Sequence, residues 1–282
     1  LECYVKIRPT DPVGFDGLCA AYSHTQKYTD AMKAGEQSLL LKDQSNSLWE
    51  AQPLLRKVAG NDVEGEKINV IAFSLFGDKP RYLRGAVDNM LSARKYFTTW
   101  IVRFYVDNSV PGCVVDYLRS VGAQIVLEQA NQDLRQKLSW RFKVANDGSV
   151  DRFLVRDVDS VLSQREVLAV HEWQKTDKSF HVMRDWWTHT DLILAGMWGG
   201  RAGILPDIWS LLLSYKPHHL ETPNVDQWFL RDRVWPLIKN DVMIHDRFFR
   251  VLNSLPWPGT TPIGNRHVGQ DIFTAYREEQ VE

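Results

Sequence analysis

The sequence has few cysteines, no long apolar run and almost no net charge, and each absence excludes a class of protein. Its cysteines, Cys3, Cys19 and Cys113, are scattered and odd in number, which argues against a disulfide framework or a zinc site. They favour a reducing compartment, so we expect a cytoplasmic protein. No apolar stretch approaches the roughly 20 residues of a membrane span. A formal net charge of -1 provides no basic field for nucleic acid or an anionic membrane.

The chain also starts without an initiator methionine or a leader sequence. Because it begins Leu1-Glu2-Cys3, we expect it to be a piece of a longer protein that could have lost a targeting segment. What is present is ordinary for a soluble globular protein, with 44% hydrophobic and 24% charged residues. Eleven tryptophans are many for 282 residues. Protein cores use them as readily as surfaces that bind sugars or bases do.

Residues 12–43 show a helix, turn, helix pattern with apolar or small residues at helical spacing. The recurring residues are Phe15, Leu18, Tyr22, Tyr28 and Ala31. The segment resembles one tetratricopeptide repeat, although Cys19 and Gln26 stand where that consensus usually has glycine. The resemblance implies a small all-α segment over residues 1–60 that could bind a protein partner. A plain helical cap is an equally good interpretation, since one repeat offers little binding surface.

A polar, glycine-containing linker at residues 59–65 is followed by alternating strand and helix patterns in the domain that we assign to residues 66–282. Helices are predicted between strands at residues 68–75, 101–106, 124–127 and 152–155. This alternation predicts an α/β fold with a mainly parallel sheet covered by helices on both faces. Ligands of such sheets bind outside the carboxyl ends of the strands.

The most informative motif is Asp157-Val158-Asp159, at the end of an apolar strand. Burying two carboxylates without a cation is costly, whereas a hard ion such as Mg²⁺ or Mn²⁺ would use both. His245 follows another short apolar strand and is a candidate third ligand, which would favour Mn²⁺. Asp246 beside it is an alternative ligand. A hydrogen-bonded, half-buried histidine is an equally good interpretation of His245.

Arginines near the motif are candidates for binding phosphate. Arg156 directly precedes the aspartates, and Arg141 lies on the helix just upstream. Each guanidinium offers a planar, bidentate donor for phosphate or for an aspartate of the site. Arg156 could equally serve to neutralise the carboxylates. Two other strand ends, at Ser74 and Asp107, converge on the same crevice.

Later segments supply further candidates. Ala195 and Gly196 are small residues beside aromatic ones, so the backbone there could approach a ligand closely. Asp226 and Gln227 precede a predicted helix, where they could cap it or contact sugar hydroxyls. Asp185 stands at the polar exit of the strand-like run that starts at residue 180.

From about Lys67 onwards, the chain resembles the GT-A-fold glycosyltransferases, with a motif order similar to that of the glycogenin and bacterial lipopolysaccharide galactosyltransferase group. The resemblance implies a Rossmann-like sheet, Mn²⁺ or Mg²⁺, and hexosyl transfer from a nucleoside-diphosphate sugar to a glycan, lipid-linked or other hydroxyl acceptor in polysaccharide assembly. Leu194 stands where the group has asparagine. The donor contacts implied are Ala72, Phe73, Ser74, Asp107, Arg141, Arg156, Asp157, Ala195, Gly196 and Gln227.

The stereochemistry decides whether a protein base is needed. Retention requires none, whereas inversion requires Asp226, Asp185 or Asp246 to deprotonate the acceptor, and Asp226 is preferred. A haloacid-dehalogenase-type phosphatase also places Asp-x-Asp after an apolar strand, with the first aspartate as nucleophile. That family normally uses its first strand and continues with Gly-Thr, unlike Ser160-Val161 here. A non-catalytic scaffold built on the helical segment is the remaining alternative.

Overall fold

The computed structural model describes residues 1–46, 54, 66–217, 224–262 and 264–271. The predicted linker at residues 59–65 lies outside this part of the chain. The boundary between residues 60 and 66 therefore stays a prediction.

Helices and strands alternate along most of the described chain. The α-helices are α1 (Glu2–Ile7), α2 (Pro12–His24), α3 (Tyr28–Asn46), α4 (Pro80–Tyr96), α5 (Gly112–Ser120), α6 (Leu134–Ser139), α7 (Gln164–Gln174), α8 (Ile208–Ser214), α9 (Val225–Phe229) and α10 (Trp235–Ile238). A 3₁₀ segment, Trp140–Asn146, continues α6, and a π segment, Leu230–Val234, joins α9 to α10. The strands are β1 (Ile68–Leu75), β2 (Trp100–Val106), β3 (Gln124–Leu127), β4 (Val150–Arg156), β5 (Phe180–Arg184), β6 (Met197–Arg201), β7 (Val242–Asp246) and β8 (Leu255–Pro256).

The strands form one eight-stranded sheet in the order β3-β2-β1-β4-β6-β5-β7-β8. Strand β6 pairs antiparallel with β4 and β5, and the other pairings are parallel. The mainly parallel α/β sheet predicted from the sequence is confirmed. Strands β1, β2, β4, β5 and β7 all end at one edge of the sheet, which we call the carboxyl edge.

Each face of the sheet has its own apolar core, because successive side chains of a strand point to opposite faces. Val70 and Ala72 of β1 belong to a cluster with residues of α2, α3, α8 and α10. Ile71 and Phe73 belong to a cluster with residues of α4, α5 and α7. Burial on both faces explains why the strands are apolar almost throughout.

Helices α2 and α3 form the helix, turn, helix unit predicted from the sequence, and they join the first of these cores through Leu18, Cys19 and Ala31. The ammonium of Lys42 is buried, 2.9 Å from Asp16 Oδ2 and 3.0 Å from Asp191 Oδ1. The tetratricopeptide identity of the unit stays a prediction. Across the described residues, the structure contains no helix with both the length and the apolar character to cross a bilayer.

Gly35 of α3 allows this helix to approach the ring of Phe249, which a Cβ at position 35 would overlap. We expect Gly35→Ala to destabilise the protein by about 1–3 kcal/mol, because overpacking outweighs the gain in helix propensity. Gly17→Ala in α2 is the matched control, since its added Cβ would meet only the movable side chain of Leu1. Urea unfolding of the two variants measures the difference. Equal midpoints would contradict a tight contact between α3 and Phe249.

Candidate active site at the carboxyl edge

A cavity of about 220 Å³ opens at the carboxyl edge between β1 and β4. The chain passes from β1 through β2 to β3 on one side and returns with β4 on the other. The crevice is therefore the point where strand order reverses, which is where open α/β sheets bind ligands. Its lining residues are Ser74, Phe76, Tyr82, Leu138, Arg141, Asp157, Val158 and Asp159.

Arg141 is the buried centre of this site. It lies in the 3₁₀ segment, where its backbone N–H donates to Ser74 Oγ at 3.1 Å. Its Nη1 donates to the Arg156 carbonyl at 2.9 Å and to Asp157, and its Nη2 donates to Asp226 Oδ2 at 3.2 Å. Although burial alone lowers the pKa of Arg141, the charges of Asp157 and Asp226 raise it above its ordinary value. This guanidinium therefore joins the end of β4 to α9.

Asp159 pairs with Arg81, in the first turn of α4. Burial, and then the charge of Asp157, raises the pKa of Asp159, while Arg81 opposes the shift. The buried side chain of Asn89 fixes the loop that carries this aspartate. It donates to the Val158 carbonyl at 3.0 Å and accepts from the Leu162 N–H at 3.1 Å. Helix α4 thus positions Asp159, which lines the same cavity as Asp157.

Gly196 lies directly beside Asp157, because β6 runs antiparallel to β4 with Met197 opposite Arg156. A Cβ at position 196 would overlap the Asp157 carboxylate. The side chain of Asp157 is 47% exposed, so it stays accessible despite its bond to Arg141. Gly196 was predicted to let a ligand approach the backbone closely. In the structure, it makes room for the Asp157 carboxylate.

Asp226 is almost fully buried at the start of α9. Burial raises its pKa to about 6, an effect that Arg141 opposes and Asp157 adds to. Its Oδ1 accepts the Gln227 backbone N–H at 2.9 Å. Asp226 does not line the cavity, but it contacts Arg141, which does. A carboxylate with a raised pKa next to a cleft is a candidate proton acceptor.

Three candidates belong elsewhere, and their predicted roles are corrected. Arg156 is buried against Glu166 and donates to the Val155 and Trp198 carbonyls, so it is a core ion pair and lines no part of the cavity. His245 is fully buried, with Nδ1 2.8 Å from His181 Nε2 and Nε2 3.4 Å from Glu172 Oε2. Asp185 is fully buried, and each of its carboxylate oxygens accepts an Arg165 N–H at 2.8 Å.

The remaining candidates do not line the cavity. Ala72 and Phe73 are fully buried in β1, so their predicted donor contacts are also corrected. Asp107 is buried and bonded to Lys137 Nζ at 2.7 Å. Ala195 belongs to the apolar core. Gln227 contributes its backbone N–H to Asp226.

The residues present fit a divalent cation only in part. Within the described ranges, no three His, Cys, Asp or Glu side chains are grouped so that they could hold a metal ion. The predicted set of Asp157, Asp159 and His245 therefore does not assemble. The two aspartates alone suit an ion such as Mg²⁺, which often takes one or two carboxylates and completes its shell with water and substrate phosphates. Each arginine bonds one carboxylate oxygen, and a carboxylate has about four lone-pair positions.

Sequence reasoning missed the contribution of α4. Arg81, Tyr82 and Asn89 all lie on this helix, and they contact Asp159, the cavity and the loop after β4 respectively. The available signal was position: the helix that follows the first strand begins at the carboxyl edge. An arginine in its first turn can reach that edge.

Comparisons with protein-family models and with curated proteins find no match. Among solved structures, 4-diphosphocytidyl-2C-methyl-D-erythritol synthase from Anaerococcus prevotii is 11% identical, with a TM-score of 0.42 over 76% of this chain and 99% of its own. A glycosyltransferase involved in glycosylation of the major capsid of PBCV-1 is 13% identical, with a TM-score of 0.40 over 64% and 82%. A mannosyltransferase from Pyrobaculum calidifontis in complex with GDP-Man and Mn²⁺ is 13% identical, with a TM-score of 0.38 over 72% and 59%. At these values the likenesses assign no ligand or activity to this chain.

The raised pKa of Asp226 predicts a pH dependence of stability. Between the ordinary value of 3.8 and about 6, folded Asp226 keeps a proton that the unfolded chain releases. Its contribution is therefore present at low pH and is lost as the pH rises through this interval. In wild type, this loss should lower the free energy of unfolding by about 1–3 kcal/mol as the pH rises through the interval. The Asp226→Asn variant has no carboxyl group at this position, so it should lack that decrease. Urea unfolding from pH 4 to 7 measures this, and parallel curves for the two proteins would refute the shift.

Proposed function

We propose that this protein is a metal-dependent glycosyltransferase that moves a sugar from a nucleoside-diphosphate sugar to a hydroxyl acceptor. The observation that carries the proposal is the arrangement around Arg141. This buried guanidinium binds Asp157 and Asp226 beside a cavity at the point where strand order reverses. The carboxylates of Asp157 and Asp159 line this cavity and are paired with Arg141 and Arg81. This arrangement suits a diphosphate with its counter-ion better than it suits a neutral ligand.

The charges of the site support a divalent cation. Asp157, Asp159 and Asp226 bring up to three negative charges, and Arg81 and Arg141 bring two positive ones. An arriving diphosphate would add further negative charge, which this set cannot balance. A cation held by Asp157 and Asp159 would neutralise the charge that builds on the phosphate oxygens as the diphosphate departs.

The side chains have distinct roles in this proposal. Arg81 is 38% exposed and lies at the start of α4, so it can turn from Asp159 towards a phosphate. Ser74 holds Arg141 in place, because the Ser74 Oγ accepts a hydrogen bond from the backbone N–H of Arg141 at 3.1 Å. Arg141 keeps Asp157 oriented towards the cavity. If transfer inverts the anomeric carbon, Asp226 takes the acceptor proton, and its pKa of about 6 leaves it mostly ionised at neutral pH.

The test of this proposal is nucleotide binding by Asp159→Asn. Calorimetry with UDP and GDP, with and without Mn²⁺, should show one nucleotide binding to wild type in a metal-dependent way. Asp159→Asn removes one of two carboxylate ligands and should weaken that binding by about 10- to 100-fold or more. Loss of a group that only hydrogen-bonds to a metal ligand already has an effect of this size.

Asp116→Asn is the matched control for this test. Asp116 lies on α5 with its side chain 77% exposed, so its loss should leave nucleotide binding unchanged. Thermal unfolding of both variants shows whether the fold persists. Binding that is equally tight without metal, or in the Asp159 variant, would disprove the proposed centre.

A further inference from the structure

A second and larger cavity, of about 490 Å³, lies where the turn between α2 and α3 meets the segments after β5 and β7. We call it the aromatic cavity. Its volume is within the range of roughly 300–1,000 Å³ typical of sites for small ligands. Its lining residues are Ser23, His24, Gln26, Tyr28, Trp186, Trp187, Thr188, Arg247, Phe248, Gly264 and Asn265.

The topology places the aromatic cavity on the same edge as Asp157 and Asp159. Strands β4, β5 and β7 run in the same direction, and the order β4-β6-β5-β7 puts β5 two positions and β7 three positions beyond β4. With neighbouring strands about 4.8 Å apart, the two cavities are separated by about 10–15 Å along the edge. An extended acceptor in the aromatic cavity could therefore reach the donor site.

A stack of rings forms one wall of the aromatic cavity. Tyr28 stacks on Trp187 with centroids 5.6 Å apart, and Trp187 stacks on Phe248 at 3.7 Å. The guanidinium of Arg247 lies 4.8 Å from the centre of the Phe248 ring. Such a wall offers apolar ring surface to a ligand, and aromatic side chains lose little conformational freedom on binding because they have few rotatable bonds.

Two polar residues, Gln26 and Arg247, line the aromatic cavity next to the ring stack. Gln26 has a φ of 59°, a left-handed conformation in which glycine is the easier residue. This conformation ends α2 in a Schellman motif, in which the Lys27 N–H donates to the Tyr22 carbonyl at 2.9 Å. The Nε of Arg247 is buried, and no hydrogen-bond partner for it occurs among the described residues. Gln26 and Arg247 both line the cavity and so place polar groups beside the rings.

We propose that the aromatic cavity binds a saccharide, the acceptor of the transferase proposed above, and this inference rests on that function. A sugar presents apolar C–H edges together with hydroxyls that both donate and accept hydrogen bonds. The amides of Gln26 and Asn265 supply both kinds of partner, and Arg247 supplies donors. The helix pair thus contributes directly to acceptor recognition.

Gln26→Gly provides the sharpest test. Glycine suits the left-handed backbone, so the variant should fold with unchanged or higher stability while losing the side chain that faces the cavity. Saturation-transfer NMR with the methyl glycosides of glucose, galactose, mannose and N-acetylglucosamine should detect binding of at least one by wild type. Gln26→Gly and Asn265→Ala should each weaken that binding by about tenfold or more. Asn253→Gly is the matched control, because Asn253 is exposed, has a φ of 57° and does not line the aromatic cavity.

Calorimetry with UDP and GDP in the presence of Mn²⁺, run on the same samples, separates the two proposals. Nucleotide binding by wild type without saccharide binding would overturn the saccharide site alone. Saccharide binding that depends on Gln26, without nucleotide binding, would support the saccharide site and overturn the transferase. Equal saccharide affinity for wild type and Gln26→Gly would also overturn the saccharide site.

Discussion

The interaction on which the candidate site depends is the pairing of one buried guanidinium with two carboxylates. Arg141 is 3% exposed, and a charge so deeply buried is tolerated only when it is paired and hydrogen-bonded. Asp157 from the end of β4 and Asp226 from α9 provide that pairing. The pairing also fixes the geometry, because a planar guanidinium donates hydrogen bonds only in set directions. Segments far apart in the chain are therefore held in a defined relation beside the cavity.

Glycine packing gives the second constraint. Cβ atoms at positions 85 and 196 would overlap the Val158 carbonyl and the Asp157 carboxylate respectively. Helix α4 and the residue before β6 can therefore approach the loop after β4 from two sides. Asn89 completes this enclosure through its bonds to Val158 and Leu162. The loop is exposed to the cavity, yet its neighbours leave its backbone little freedom.

The sequence predicted the fold well and the site in part, and strand geometry explains the difference. The range 68–75 and the range 124–127 match β1 and β3, because buried strands leave a clear apolar pattern. Ser74, Asp157 and Asp159 were found because residues at strand ends must lie at the sheet edge. Arg156 and His245 also lie at or next to the ends of their strands, but the alternating pattern turns their side chains to the face covered by α7, with its Glu166 and Glu172. The partners of Arg81 and Arg141 depend on tertiary contacts that no local pattern records.

The helix pair is more than a covering of the sheet edge. In α3, Lys42 Nζ lies 3.0 Å from Asp191 Oδ1. The next residue, Asp43, accepts a hydrogen bond from Trp235 Nε1 of α10 at 2.7 Å. Gln26, in the turn before α3, and Tyr28, the first residue of α3, face the segments that follow β5 and β7. The turn between the two helices thus lines the aromatic cavity. The helix pair is therefore packed into the carboxyl edge of the sheet and forms part of the wall of a cavity there.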